Sequence, residues 1–174
     1  MTAEEFLAFE GEPDVRSELV DGEVRALAPP SDVHGLMVMN VGHVLRQRRA
    51  REPRCRPRAD AGIRVAEADY DTADVAVSCV EATAERELRD PVLIVEVLSP
   101  STRAQDLGVK LPAYRELPSL RKIWLVDSTR RWVEVGTREG EGWQGRDVIG
   151  SGRFHSPARD ADIPLEELCE GVGV

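Results

Sequence analysis

At 174 residues, with 41% hydrophobic and 32% charged side chains, the chain is long enough for one domain with a real core and too short for two. A net charge of −9 withholds the basic footprint usual in proteins that grip nucleic acid. No run approaches the roughly 18 apolar residues of a membrane span, and no basic and apolar leader opens the chain, so the expectation is a cytoplasmic protein with no membrane contact.

The elements follow in chain order. Thr2 and Glu5 stand at capping-box spacing for a short N-terminal helix. Arg16 to Val20 and Glu23 to Leu27 flank Asp21-Gly22, a two-residue hairpin signal. Pro29-Pro30 stops the second strand, and Ser31 caps a long helix to about Arg49, with Leu36, Met39, Val44 and Leu45 as its core stripe. The Arg- and Pro-rich segment Arg51 to Arg58 reads as loop, and Gly62 to Ala66 as a strand. Asp74 opens an alternating strand to Cys79, with Val75 and Val77 on one face and Asp74 opposite. Glu81 to Asp90 is an acidic connection with at most a helical turn.

Val92 to Leu98 is apolar on both faces except at Glu96, which marks a buried central strand carrying a carboxylate. Such a group shifts its pKa, finds a cation or binds a metal. Ser99-Pro100-Ser101-Thr102 then starts a helix, so Glu96 lies near a strand's C-terminal end, where ligands gather in α/β sheets. That helix runs to about Leu117, with a kink or break expected at Pro112. Lys122 to Val126 is a buried strand paired with Trp132 to Val135. Short strands fill Gly136 to His155, and Asp162 to Leu168 offers a last helical turn. The order of elements predicts a single α/β domain over residues 1–174: a mixed β-sheet flanked by helices, with an N-terminal helix and β-hairpin.

Cys55, Cys79 and Cys169 are odd in number and scattered, which predicts free thiols in a reducing compartment; no C-x-x-C pair suggests structural zinc. Asp74 and Glu96, 22 residues apart on two strands, can share one divalent cation if the strands are neighbours, and a hard Mg²⁺ ion would suit them. Lys110 would then offset charge in the transition state. An ordinary surface ion pair with Asp106, four residues earlier, explains Lys110 equally well. Arg46, Arg49 and Arg51 belong to a basic cluster able to meet phosphates, or simply suit a helix end. His34 follows the Pro-Pro turn and is a possible accessory group. His43 lies on the opposite helix face, and it and His155 read as structural. Ser99 and Ser101 lack a nucleophile elbow and read as helix caps. Asp69-Tyr70-Asp71 is set aside because no buried strand leads into it.

Glu96-Val97-Leu98-Ser99-Pro100-Ser101-Thr102 with Asp106, Gly108, Lys110 and Tyr114 resembles the central block of the Uma-two family of putative restriction endonucleases. Glu18 to Glu23, Ala28 to Ser31 and His34 resemble that family's opening block, and Ile123 to Asp127 its following strand. The resemblance spans about residues 16 to 135. It implies a restriction-endonuclease-like core of the PD-(D/E)XK superfamily and Mg²⁺- or Mn²⁺-dependent hydrolysis of nucleic acid, DNA by preference. By analogy it also implies a homodimer. It makes Asp74 and Glu96 the metal carboxylates, the Val97 carbonyl a further ligand, Lys110 the displaced superfamily lysine and Glu18 an added acidic member. Leu98 stands at the usual lysine position, and Ala73 where the superfamily has proline. The rival readings are a non-catalytic binding module on the same fold and a hydrolase of small phosphoesters.

Overall fold

A computed structural model of the chain describes residues 1–9, 11, 15–48, 54–83, 86–156 and 161–174. Helix α1 (Ala3–Ala8) carries the expected capping box between Thr2 and Glu5. β1 (Ser17–Val20) and β2 (Glu23–Ala26) form the expected hairpin, Val20 facing Glu23. Its two turn residues take φ of 51° at Asp21 and 77° at Gly22, the left-handed pair that a tight hairpin turn demands. α2 (Asp32–Gln47) is capped by Ser31, whose hydroxyl accepts from the His34 N–H.

Three long strands follow: β3 (Arg56–Ala66), β4 (Asp69–Ser78) and β5 (Pro91–Leu98). Beyond β5 the chain winds through α3 (Arg103–Gln105), a π-helical turn (Asp106–Lys110) and α4 (Leu111–Glu116). β6 (Lys122–Asp127), β7 (Trp132–Glu139) and β8 (Gly142–Ile149) complete the main sheet. β9 (Arg153–Ser156), β10 (Ala161–Pro164) and α5 (Leu165–Leu168) close the chain. Among the described residues the main sheet runs β2-β1-β4-β5-β6-β7-β8, with β3 paired to β4, and only β5 and β6 are parallel neighbours. This is a mixed sheet flanked by helices.

Alternation divides the core. Val95 and Val97 pack with Met37, Val41, Val44 and Leu45 of α2, while Ile94 and Leu98 face Tyr114, Leu107 and Leu111 on the other side. The helix stripe is therefore not the expected one. Val44 and Leu45 are buried, but Leu36 and Met39 are exposed, and Met37 and Val41 take their places. The apolar residues nearly encircle the first half of α2, so periodicity alone left its phase open.

Three further expectations need correction. Arg56 to Arg58 are strand, not loop, because β3 is long and pairs with β4 from Arg56 opposite Ser78. That register brings Cys55 opposite Cys79, and the two form a disulfide; only Cys169 is a free cysteine among the described residues, and it is buried. Pro112 does not break a helix. It lies in the first turn of α4, which continues without a break from the π-helical turn before it. The irregularity lies one turn earlier, where the Leu111 N–H reaches back five residues to the Asp106 carbonyl.

Candidate active site

The site forms where the sheet opens. β4 pairs with β1 through Tyr70 and with β5 only from Val75 onward, opposite Val95. One step past that pair, Asp74 and Glu96 face each other, and side chains replace the ladder. The Val97 N–H donates to Asp74 Oδ2 at 2.7 Å, and the Asp74 N–H donates over a long 3.4 Å to Glu96 Oε2. His34 Nε2 lies 3.2 Å from the same Asp74 Oδ2. This hydrogen bond outweighs burial and raises the imidazole pKa. Both close bonds fall on Oδ2, so Oδ1 of Asp74 accepts none among the described residues. Asp74 stands within β4 rather than at its start, since the strand begins at Asp69.

Lys110 enters from the π-helical turn. Its ammonium lies 2.7 Å from Glu18 Oε1 and 3.9 Å from Glu96 Oε1, and it donates to the Thr72 carbonyl at 2.9 Å. Asp106, offered above as a surface partner, is 3.9 Å away and buried with it. Lys110 is thus no surface lysine, being only 6% exposed. Glu18, fully buried on β1, is saturated: it also accepts from the Thr72 N–H at 3.0 Å and the Gln105 amide at 3.0 Å. Glu96 is pinned from the far side by the buried Tyr114 hydroxyl, which donates to Oε1 at 2.7 Å.

Charge is badly out of balance here. Glu18, Asp71, Glu96 and Asp106 are buried around one lysine, with Asp74 at their edge. Burial pushes the Glu96 carboxyl well above its ordinary range and raises Asp106 as well. Asp71, set aside on sequence grounds, sits buried inside β4 with its Oδ2 unpartnered, and burial with the nearby Glu18 charge moves its pKa to about 7. Burial works to lower Lys110, but the carboxylates of Glu96 and Glu18 outweigh it and hold the lysine charged. Protons or a further cation must offset the excess.

A hard cation suits what remains open. Asp74 Oδ1 is free, Glu96 Oε2 has only its long contact, and both are oxygen donors. Among the described residues no three His, Cys, Asp or Glu side chains converge as a complete cage. Mg²⁺ seldom needs one, because it keeps several waters and binds through one or two carboxylates. His34, Asp74, Glu96, Asp106 and Lys110 all line a cleft of about 600 Å³ walled by Ala28 to Ser31 and Ser99 to Thr102. Ser99 does act locally, accepting the Thr102 N–H.

The fold therefore gathers Glu18, His34, Asp74, Glu96, Val97 and Lys110. It does not bring Arg46 with them. That residue is exposed in the last turn of α2, twelve residues and roughly 18 Å along the axis from His34. Arg49 and Arg51 lie outside the described residues. Sequence reasoning missed Gln105 and Arg16, the second of which lines the cleft, and set Asp71 aside. Asp71 was discounted with Asp69-Tyr70-Asp71 for want of a buried strand, yet β4 begins at Asp69 and buries it.

Residues 3–164 match the Uma2 family, described as "Putative restriction endonuclease". The chain belongs to the Uma2 family. Every site residue from Glu18 to Lys110 falls within the matched span. This Uma2 chain is 27% identical to uncharacterized protein slr1290 of Synechocystis sp. over 99% of its own length and 93% of that protein's. It is 28% identical to sll1609 of the same organism over 80% and 84%. Its fold matches the crystal structure of a putative nuclease belonging to DUF820 from Anabaena variabilis, with a TM-score of 0.77, 17% identity and 99% of each chain covered. Among the described residues no helix is long and apolar enough to cross a membrane.

Proposed function

We propose that this Uma2 protein is a metal-dependent endonuclease hydrolysing phosphodiester bonds of DNA. The observation that carries the reading is the opened β4–β5 ladder: two opposed carboxylates, each with an oxygen to spare, beside a buried lysine. Asp74 Oδ1, Glu96 Oε2 and the Val97 carbonyl would hold Mg²⁺ or Mn²⁺. Such an ion, when bound, supplies Lewis-acid polarisation of the scissile phosphate and a more acidic water. The preference for DNA follows the family's description as restriction endonucleases.

The chain's own residues divide the remaining work. His34 and the Val97 N–H hold Asp74 by one oxygen and turn the other toward the cleft. Tyr114 does the same for Glu96. Glu18 and the Thr72 carbonyl fix the Lys110 ammonium, which lines the cleft and offsets negative charge developing on the phosphoryl oxygens. The test is cleavage of plasmid and linear DNA with Mg²⁺ or Mn²⁺, alongside a small chromogenic diester. Asp74→Ala and Glu96→Gln should each cost roughly a hundred- to a thousandfold in rate. Wild-type protein that cuts no DNA but hydrolyses the small diester would move the reading to a small-phosphoester hydrolase.

A further inference from the structure

A second cleft, of about 450 Å³, adjoins the first and shares Arg16 and Thr72 with it. Its walls carry three guanidinium groups, Arg16, Arg58 and Arg86, in a chain whose net charge is −9. Arg16 pairs with the exposed Asp60. The other two form no ion pair among the described residues. Arg58 donates to the Arg86 carbonyl at 2.8 Å, and the Arg86 guanidinium lies 5.9 Å from the Phe6 ring centroid. Tyr70 makes the floor. It crosses β3 at Gly62, where any Cβ would overlap its hydroxyl, and donates to the same Arg86 carbonyl at 3.1 Å. Phe9, 41% exposed, stands on the rim.

The Arg58 and Arg86 guanidinium groups, without an ion pair among the described residues, fit the phosphates of a phosphodiester backbone. Tyr70, 3% exposed, shapes the floor beneath them, and the exposed Phe9 ring on the rim offers a face to a base. Tyr70, Thr72 and Asp74 are spaced along β4, and the four residues from Asp74 to Tyr70 cover about 13 Å. Successive phosphates of a strand rise by about 3.4 Å in a duplex, so one strand can span both clefts. We infer that the Arg16–Arg58–Arg86 cleft is a nucleic-acid subsite that holds the strand continuing from the scissile phosphate. This rests on the nuclease reading above, and it places the phosphate contacts here rather than at Arg46.

Fluorescence anisotropy of a labelled 20-nucleotide DNA, single-stranded and duplex, tests it, with Ca²⁺ replacing Mg²⁺ to suppress cleavage. The Arg58→Ala/Arg86→Ala protein should lose about 1.4 units of log–log salt slope on the single strand, the equivalent of two phosphate contacts. Asp60→Asn, at a position with φ of 48° that asparagine tolerates, frees Arg16 and should tighten binding by up to about fivefold. A misfolded variant cannot imitate that gain. Arg146→Ala, on exposed β8, should match wild type; an equal loss there would mean diffuse attraction and overturn the subsite. An unchanged slope in the double variant with no tightening by Asp60→Asn also overturns it, while DNA cleavage by wild type would leave the nuclease reading standing. Wild type that binds no polynucleotide overturns the subsite too, and hydrolysis of the small diester then tells whether metal-dependent phosphodiester chemistry survives.

Discussion

Lys110 balances the buried charges of the site, because Glu18 and Glu96 have no other ion-pair partner among the described residues. Replacing it with methionine leaves both carboxylates buried and unpaired, which should cost about 3–5 kcal/mol of stability in urea denaturation. Asp71 offers a test by pH. Its carboxyl pKa is raised from the unfolded range near 4 to about 7, so the folded chain holds a proton that the unfolded chain releases. Its stabilising share is complete below about pH 4 and is lost as pH rises through 7. Asp71→Asn, neutral throughout, should therefore match wild type near pH 4 and exceed it in Tm at pH 8. Equal pH profiles for the two proteins would show that Asp71 ionises freely.

The π-helical turn is the element that delivers Lys110. One extra residue between Asp106 and Leu111 rotates what precedes it by about 100° relative to a regular helix. Deleting Gly108 should swing that register, abolish DNA cleavage and leave far-UV circular dichroism nearly unchanged. Cleavage that survives the deletion would show that the lysine's placement does not depend on the turn. The disulfide ties together the open end of the β3–β4 hairpin, closing a loop with a sequence separation of 24. Reduction, or Cys55→Ala/Cys79→Ala, should cost about 3 kcal/mol on the chain-entropy estimate. Thiol titration of the unfolded, unreduced chain should then find one cysteine rather than three. The sequence hid this pairing because it depends on β3, and β3 was masked by Pro57. A proline is tolerated there because, among the described residues, Pro57 pairs only with Val77 of β4. The hairpin and the central strand were legible for the opposite reason: Asp21-Gly22 and the run Val92 to Leu98 carry their geometry locally.

At the scale of the whole molecule, what could be read in advance depended on distance along the chain. Glu96 stood out because it interrupts an apolar strand and Asp74 because it opens an alternating one, and their pairing needed only that the two strands be neighbours. The lattice around them did not stand out, since Glu18 meets Thr72 across 54 residues and Gln105 across 87. No local pattern announces such contacts. Net charge was equally uninformative, because a total of −9 conceals an acidic site and a basic cleft side by side. The central claim is that Asp74 and Glu96 share one divalent cation, and calorimetric titration with Mn²⁺ and Mg²⁺ tests it most directly. Wild-type protein should bind saturably, and binding should disappear in both Asp74→Ala and Glu96→Gln. Binding that persists in either variant, or none in folded wild type even with an oligonucleotide present, would contradict it.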